Sequence, residues 1–159
     1  CYILTYTMNK QSSDFSELDD LYQEIILDHY RNPRNQNKLD SVDIVADGFN
    51  PFCGDKVLIS IKLDNDVVSD ISFEGNGCSI SQASASMLTN LIKGETLDKA
   101  RSLYSTFREM MHGSPGIELN ELGEAEVLEG VKQFPIRIKC ALLAWVALED
   151  GIKKHTESS

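Results

Sequence analysis

Val57-Leu58-Ile59-Ser60-Ile61-Lys62-Leu63, Asp64-Asn65-Asp66 and Val67-Val68-Ser69-Asp70-Ile71-Ser72-Phe73 form one continuous stretch whose reading decides the fold. Val57, Ile59, Ile61 and Leu63 alternate with more polar neighbours, the mark of a strand with one buried face. Asp64-Asn65-Asp66 reads as a turn, and Val67, Ser69, Ile71 and Phe73 as the returning antiparallel strand. Upstream, Val42, Ile44 and Ala46 alternate more weakly, and Gly48-Phe49-Asn50-Pro51 is expected to break that run.

The flanks are helical. Leu18, Leu21, Tyr22, Ile25 and Ile26 follow the spacing of one helical face, with Ser16 and Asp19 as a capping pattern. That helix should stop near Arg31, because Asn32 precedes Pro33. After Cys78, the residues Ile80, Ala83, Met87, Leu88 and Leu91 share a face, and Gly94 is a plausible stop. Leu97, Ala100, Leu103, Tyr104, Phe107 and Met111 follow, capped by Thr96. An acidic stretch at 118–129 comes next, read as a solvated face or a docking surface for a basic partner. Pro135 opens a last helix striped by Ile138, Ala141, Leu142, Trp145, Leu148 and Ile152. The expected fold is one α+β domain: a small three-stranded antiparallel sheet with helices packed on one face. It should span residues 8–159, since residues 1–7 precede a natural-looking start at Met8 and read as a non-native or disordered extension.

Composition narrows the function. The 159 residues carry 25 acidic and 15 basic side chains, a net charge of −10, which argues against nucleic-acid binding. The apolar run at 141–148 is far short of the roughly 18 residues of a membrane span. Four cysteines are too few for a disulfide scaffold, so the expectation is a cytoplasmic protein with reduced thiols.

Setting Cys1 aside, three thiols remain. Cys53 lies in Asn50-Pro51-Phe52-Cys53-Gly54-Asp55, Cys78 follows Glu74-Gly75-Asn76-Gly77, and Cys140 sits one turn into the last helix. Isolated cysteines are usually small buried hydrophobes. Glycine-flanked loops are poor places for that, and they are common places for sites. If the three converge, Asp55 can supply a fourth ligand, a set that suits tetrahedral zinc; iron is the alternative, since thiolates also hold iron–sulfur clusters. Cys78, at a helix N-terminus, should have a lowered pKa. Arg137 and Lys139 are close enough in sequence to Cys140 to steady anionic sulfur, although solvation is the simpler reading.

Other signals dissolve. Gly75-Asn76-Gly77-Cys78-Ser79-Ile80 misses the third glycine of a dinucleotide fingerprint. Asp64-Asn65-Asp66 lacks the glycine and glutamate that a calcium loop requires downstream. His29, His112 and His155 have no supporting motif and read as exposed structural residues. Ala83-Ser84-Ala85-Ser86 suggests a helix packed closely on a neighbour.

The three cysteine blocks, together with Asp28-His29-Tyr30-Arg31-Asn32-Pro33 and Phe134-Pro135-Ile136-Arg137-Ile138-Lys139-Cys140-Ala141-Leu142-Leu143-Ala144-Trp145, resemble the IscU/SufU iron–sulfur cluster assembly scaffold family. The likeness runs over residues 18–152 and is closer to the SufU branch. IscU proteins have histidine where this chain has Lys139, and a Leu-Pro-Pro-Val-Lys segment where it has Phe134-Pro135-Ile136-Arg137-Ile138. The interval between Cys78 and Cys140 is also longer, as expected for a SufU insertion. The resemblance implies zinc held by Cys53, Asp55, Cys78 and Cys140, and persulfide sulfur accepted by Cys53 from a cysteine desulfurase of the SufS type. A partner histidine replacing one thiolate would free Cys53 as the nucleophile. Sulfur would then pass to downstream iron–sulfur assembly or acceptor proteins. Two alternatives stand beside this one: a scaffold assembling a transient [2Fe–2S] cluster on Cys53, Cys78 and Cys140, and a non-catalytic module that zinc only stabilises.

Overall fold

The computed structural model describes residues 20–51 and 54–158. Helix α1 (Asp20–Arg31) is followed by strands β1 (Ile44–Asn50), β2 (Asp55–Asp64) and β3 (Val67–Asn76). Then come α2 (Ser79–Ile92), α3 (Leu97–Met111), a run of 3₁₀ turns (Asn120–Gln133) and α4 (Pro135–Ser158). The strands form one antiparallel sheet in the order β1-β2-β3. This is the expected sheet, with helices covering one face; the Ser16 cap lies outside the described residues. No helix among the described residues is long and apolar enough to cross a membrane.

The covered face is built in rungs. Ile44, Ile61 and Ile71 form one, and Ala46, Ile59 and Phe73 the next, all buried. Gly48, Val57 and Gly75 follow, and the last rung pairs Asn50 with Asp55. Alternation along β1 and β2 therefore carries an apolar pattern into two buried polar side chains at one end of the sheet.

Two strand expectations need correction. β1 does not break at Gly48; it runs to Asn50 in register with β2. Gly48 is there because α4 lies close: an added Cβ would stand 3.1 Å from Leu143 Cδ1 and 3.4 Å from Ala147 Cβ. On β3, Val68 rather than Ser69 points into the core. The register shifts between Lys62 and Leu63, so Ser69 has no partner across the ladder and its hydroxyl donates to the Lys62 carbonyl at 3.1 Å. That β-bulge reverses the parity of β3 shortly after the chain leaves the turn. The turn itself is a two-residue hairpin with positive φ at Asn65 (52°) and Asp66 (68°), the conformation that Asn and Asp tolerate best.

The helices behave as their sequences suggest at the ends. Thr96 caps α3 by accepting from Lys99 N–H at 3.0 Å, and Gly94, with φ 89°, lies just beyond the C-cap of α2. The acidic stretch is the larger surprise. It folds as 3₁₀ turns that bury Leu122, Ala125, Val127, Leu128 and Val131, and Glu121 and Glu129 pair with Lys99 and Lys132. Phe107 of α3 stacks on Trp145 of α4, centroids 4.3 Å apart.

Helix α2 is the central strut. It is buried on nearly every side although five of its residues are serine or threonine. The hydroxyls of Ser84 and Ser86 are matched by neighbouring elements, while that of Ser79 is buried without a partner. Ser84 Oγ donates to the Ala141 carbonyl at 2.6 Å and accepts from Trp145 Nε1 at 3.0 Å. Ser86 Oγ accepts from Arg34 N–H at 2.9 Å and lies 2.8 Å from His29 Nδ1. His29, expected to be exposed, is fully buried, and its Nε2 is 2.7 Å from Glu124 Oε1. Its role is structural, as expected, but it works from inside, tying α1, α2 and the 3₁₀ run together.

Candidate metal centre

The end of the sheet that carries Asn50 and Asp55 also receives the N-terminus of α2 and the first turn of α4. Asp55 opens β2, Cys78 is the N-cap of α2, and Cys140 lies on the buried side of α4. Their ligand atoms all lie within 4.8 Å of one another, and all three residues are buried. Among the described residues this is the one convergence of three or more Cys, His, Asp or Glu side chains. Thiolates about 2.3 Å from a tetrahedral ion stand about 3.8 Å apart, so the three donors need only a small contraction to fit zinc. Cys53, the fourth expected donor, lies outside the described residues; it falls between Asn50 and Asp55 in the chain.

Local structure explains the motif around Cys78. A Cβ on Gly77 would run into the Asp55 carboxylate and stand 2.5 Å from Ser81 Oγ. A Cβ on Gly75 would collide with the Lys56 carbonyl across the ladder. Both glycines are thus required by close approach, not by a nucleotide. The Asp55 carboxylate fills the space that Gly77 leaves: Oδ1 accepts from Cys78 N–H at 3.0 Å and Oδ2 lies 4.0 Å from Cys78 Sγ.

The electrostatics run against one expectation. The Cys140 thiol beside it, and then burial, push the Cys78 thiol well above its ordinary range. The helix N-terminus alone would lower it, but two desolvated sulfurs and the Asp55 carboxylate in one pocket make an added negative charge more costly. Soft thiolates and a hard carboxylate gathered without a basic side chain in the set are what a divalent cation balances. Donor types, spacing and burial all fit such an ion. Lys139 is exposed and Arg137 half-buried on α4, beside the cluster in sequence.

One residue at the site went unread in the sequence. Asn50 is buried, and its Nδ2 donates toward Cys140 Sγ at 3.9 Å. The signal was available: if β1 continues past Gly48, period-2 alternation turns residue 50 inward, where an amide is out of place.

Comparison with known proteins agrees with this geometry. Residues 21–141 match the NifU-like N-terminal domain family. The chain is 50% identical to the zinc-dependent sulfurtransferase SufU of Bacillus subtilis, over 88% of this chain and 95% of that protein. It is 45% identical to the iron–sulfur cluster assembly scaffold protein IscU of Streptococcus pyogenes, over 90% of this chain and 89% of that one. Its fold overlays the N-terminal part of a nitrogen-fixing NifU-like protein from Brucella abortus with a TM-score of 0.80 at 26% identity, covering 89% and 98% of the two chains.

Proposed function

Because the chain belongs to the NifU-like N-terminal domain family of iron–sulfur cluster assembly proteins, we propose that it accepts sulfur for cluster biogenesis through a metal-held cysteine. The observation that carries this reading is the buried convergence of Asp55, Cys78 and Cys140, with Cys53 two residues before Asp55 in the chain. In this proposal Cys53, Asp55, Cys78 and Cys140 are the ligands of zinc, which when bound keeps the thiolates ionised and ordered.

The reaction belongs to Cys53. Its thiolate attacks the terminal sulfur of a persulfide presented by a cysteine desulfurase of the SufS type. A new S–S bond forms on Cys53 as the partner's S–S bond breaks. The electron pair leaves on the partner's cysteine sulfur, and no external oxidant or reductant is needed. Asp55, Cys78 and Cys140 sit on three different elements of the core, so they hold their places while Cys53 reacts. The sulfur then passes to a downstream assembly or acceptor protein.

A second reading has its own support in the 45% identity to an IscU scaffold: a [2Fe–2S] cluster assembled on Cys53, Cys78 and Cys140. Metal analysis of wild type, Asp55→Ala and Cys53→Ala, paired with the turnover of a cysteine desulfurase, separates the two. About one zinc per chain and a stimulation lost in Cys53→Ala supports sulfur transfer. A protein that leaves turnover unchanged yet builds a stable brown cluster with iron and sulfide overturns it in favour of the scaffold. Zinc without any effect on a desulfurase would reduce the metal to a structural role.

A further inference from the structure

We infer that Asn50 is a positioning residue for the metal centre, its carboxamide N–H holding the Cys140 sulfur in the ligand set. The inference rests on the reading of Cys140 as a ligand and adds a residue outside that set. Three observations lead to it.

The first is placement. Asn50 ends β1 and pairs in register with Asp55, so one rung of the sheet carries a proposed ligand and, beside it, an amide. The second is cost. The preceding inward positions of β1 are Ile44, Ala46 and Gly48, and apolar side chains are what that face accepts. An amide buried to 5% exposure is unfavourable there unless it makes a hydrogen bond worth keeping. The third is direction. Asn50 Nδ2, a donor, is the atom turned toward Cys140 Sγ, at 3.9 Å. An N–H donor favours a sulfur that carries negative charge, which is the state of a metal-bound thiolate.

The backbone of Asn50 is fixed as well. Its carbonyl accepts from Gly54 N–H at 2.8 Å, joining the end of β1 to the residue that precedes β2. Asn50 therefore ties the junction of β1 and β2 to the helix bearing Cys140. The Cys140 sulfur is also 4.0 Å from the Ile136 carbonyl, an acceptor suited to a thiol but not to a thiolate.

Asn50→Leu keeps the size and removes the donor. Zinc affinity, measured by competition with a chelating indicator, should fall about 10- to 100-fold, the range seen when an outer hydrogen bond to a metal ligand is lost. The thiolate-to-cobalt charge-transfer band of the cobalt-loaded protein should shift, while the metal-free protein melts at or above the wild-type temperature. A residue that merely filled space would lower melting and affinity together. Asn50→Gln, which keeps an N–H on a longer arm, should recover part of the affinity and of the band position, and it serves as the test if the leucine variant does not fold. Wild-type affinity and an unmoved band in both variants overturn the role of Asn50. A wild type that binds no zinc overturns the metal reading and this one with it.

Discussion

Gly77→Ala is the sharpest test of how the site is packed. The glycine does not occupy the left-handed region, so the substitution acts through space alone. Its new Cβ would overlap Asp55 Oδ1, stand 3.0 Å from Asp55 Cγ and 2.5 Å from Ser81 Oγ. Asp55 is the first residue of β2 and its short side chain has little room to yield. The relief available is a displaced carboxylate, which breaks the 3.0 Å bond from Cys78 N–H. A hydrogen bond to a charged acceptor is worth about 1.5–3 kcal/mol, and overpacking a core costs about 1–3 kcal/mol. One displacement exchanges the clash for the lost bond, so the two do not add and about 1.5–3 kcal/mol is expected. At about 2–4 °C per kcal/mol for a chain of this size, the metal-free protein should melt about 3–12 °C lower. Zinc affinity, read by chelator competition, should fall about tenfold or more because a donor has moved. Gly116→Ala is the control: Gly116 has φ 74° and open space around it, so it costs about 1–2 kcal/mol by backbone strain and leaves affinity untouched. A Gly77→Ala protein with wild-type melting and affinity would refute the packing of Asp55 against this glycine.

Gly151→Ala should destabilise the fold by about 1–3 kcal/mol, although alanine is the better helix former by about 1 kcal/mol, because its Cβ would meet Ala46 Cβ at 2.7 Å and Ile44 Cγ2 at 3.2 Å; an unchanged or raised midpoint in urea titration would show that α4 does not press on β1 there. The stability of the metal-free protein should fall as pH rises through the ordinary thiol range near 9. The Cys78 pKa is raised in the fold, so the native state retains a proton that the unfolded chain gives up, and stability declines by up to about 1.4 kcal/mol per pH unit. Melts from pH 7.5 to 10.5 with and without zinc check this, and a metal-free curve flat across that range would contradict it.

What the sequence disclosed was what short-range pattern can carry. The alternation of Val57, Ile59 and Ile61, the hairpin at Asn65 and Asp66, the Thr96 cap and the Pro135 helix start each depend on neighbours within a few residues. The candidate ligands could be named because three cysteine-bearing blocks appeared in a familiar order, and the fold brings Asp55, Cys78 and Cys140 of that candidate set together. The misses have long-range causes. The bulge at Ser69 is set by pairing with β2, and Gly48 stays in its strand because α4 approaches it. His29 is buried by Ser86 and Glu124, which lie 57 and 95 residues away. In the 3₁₀ run the eye follows glutamates, yet the buried Leu122, Leu128 and Val131 decide where it packs. The raised Cys78 thiol belongs to the same class, since its first cause is Cys140 on another helix.

The serine-rich strut α2 makes the domain's parts interdependent. Its hydroxyls are matched by α4 through Ser84 and by α1 and the following loop through Ser86, so peeling away either wall strands polar groups in an apolar interior. Partial opening is then nearly as unfavourable as complete unfolding, and amide protons along α2 should exchange with solvent only when the whole domain opens. Cys78 caps that same helix. A ligand bound at its N-terminal end therefore slows exchange along its full length, by mass action on one cooperative unit. The protein would register metal occupancy at Ser86, two turns along the helix, with no change of shape.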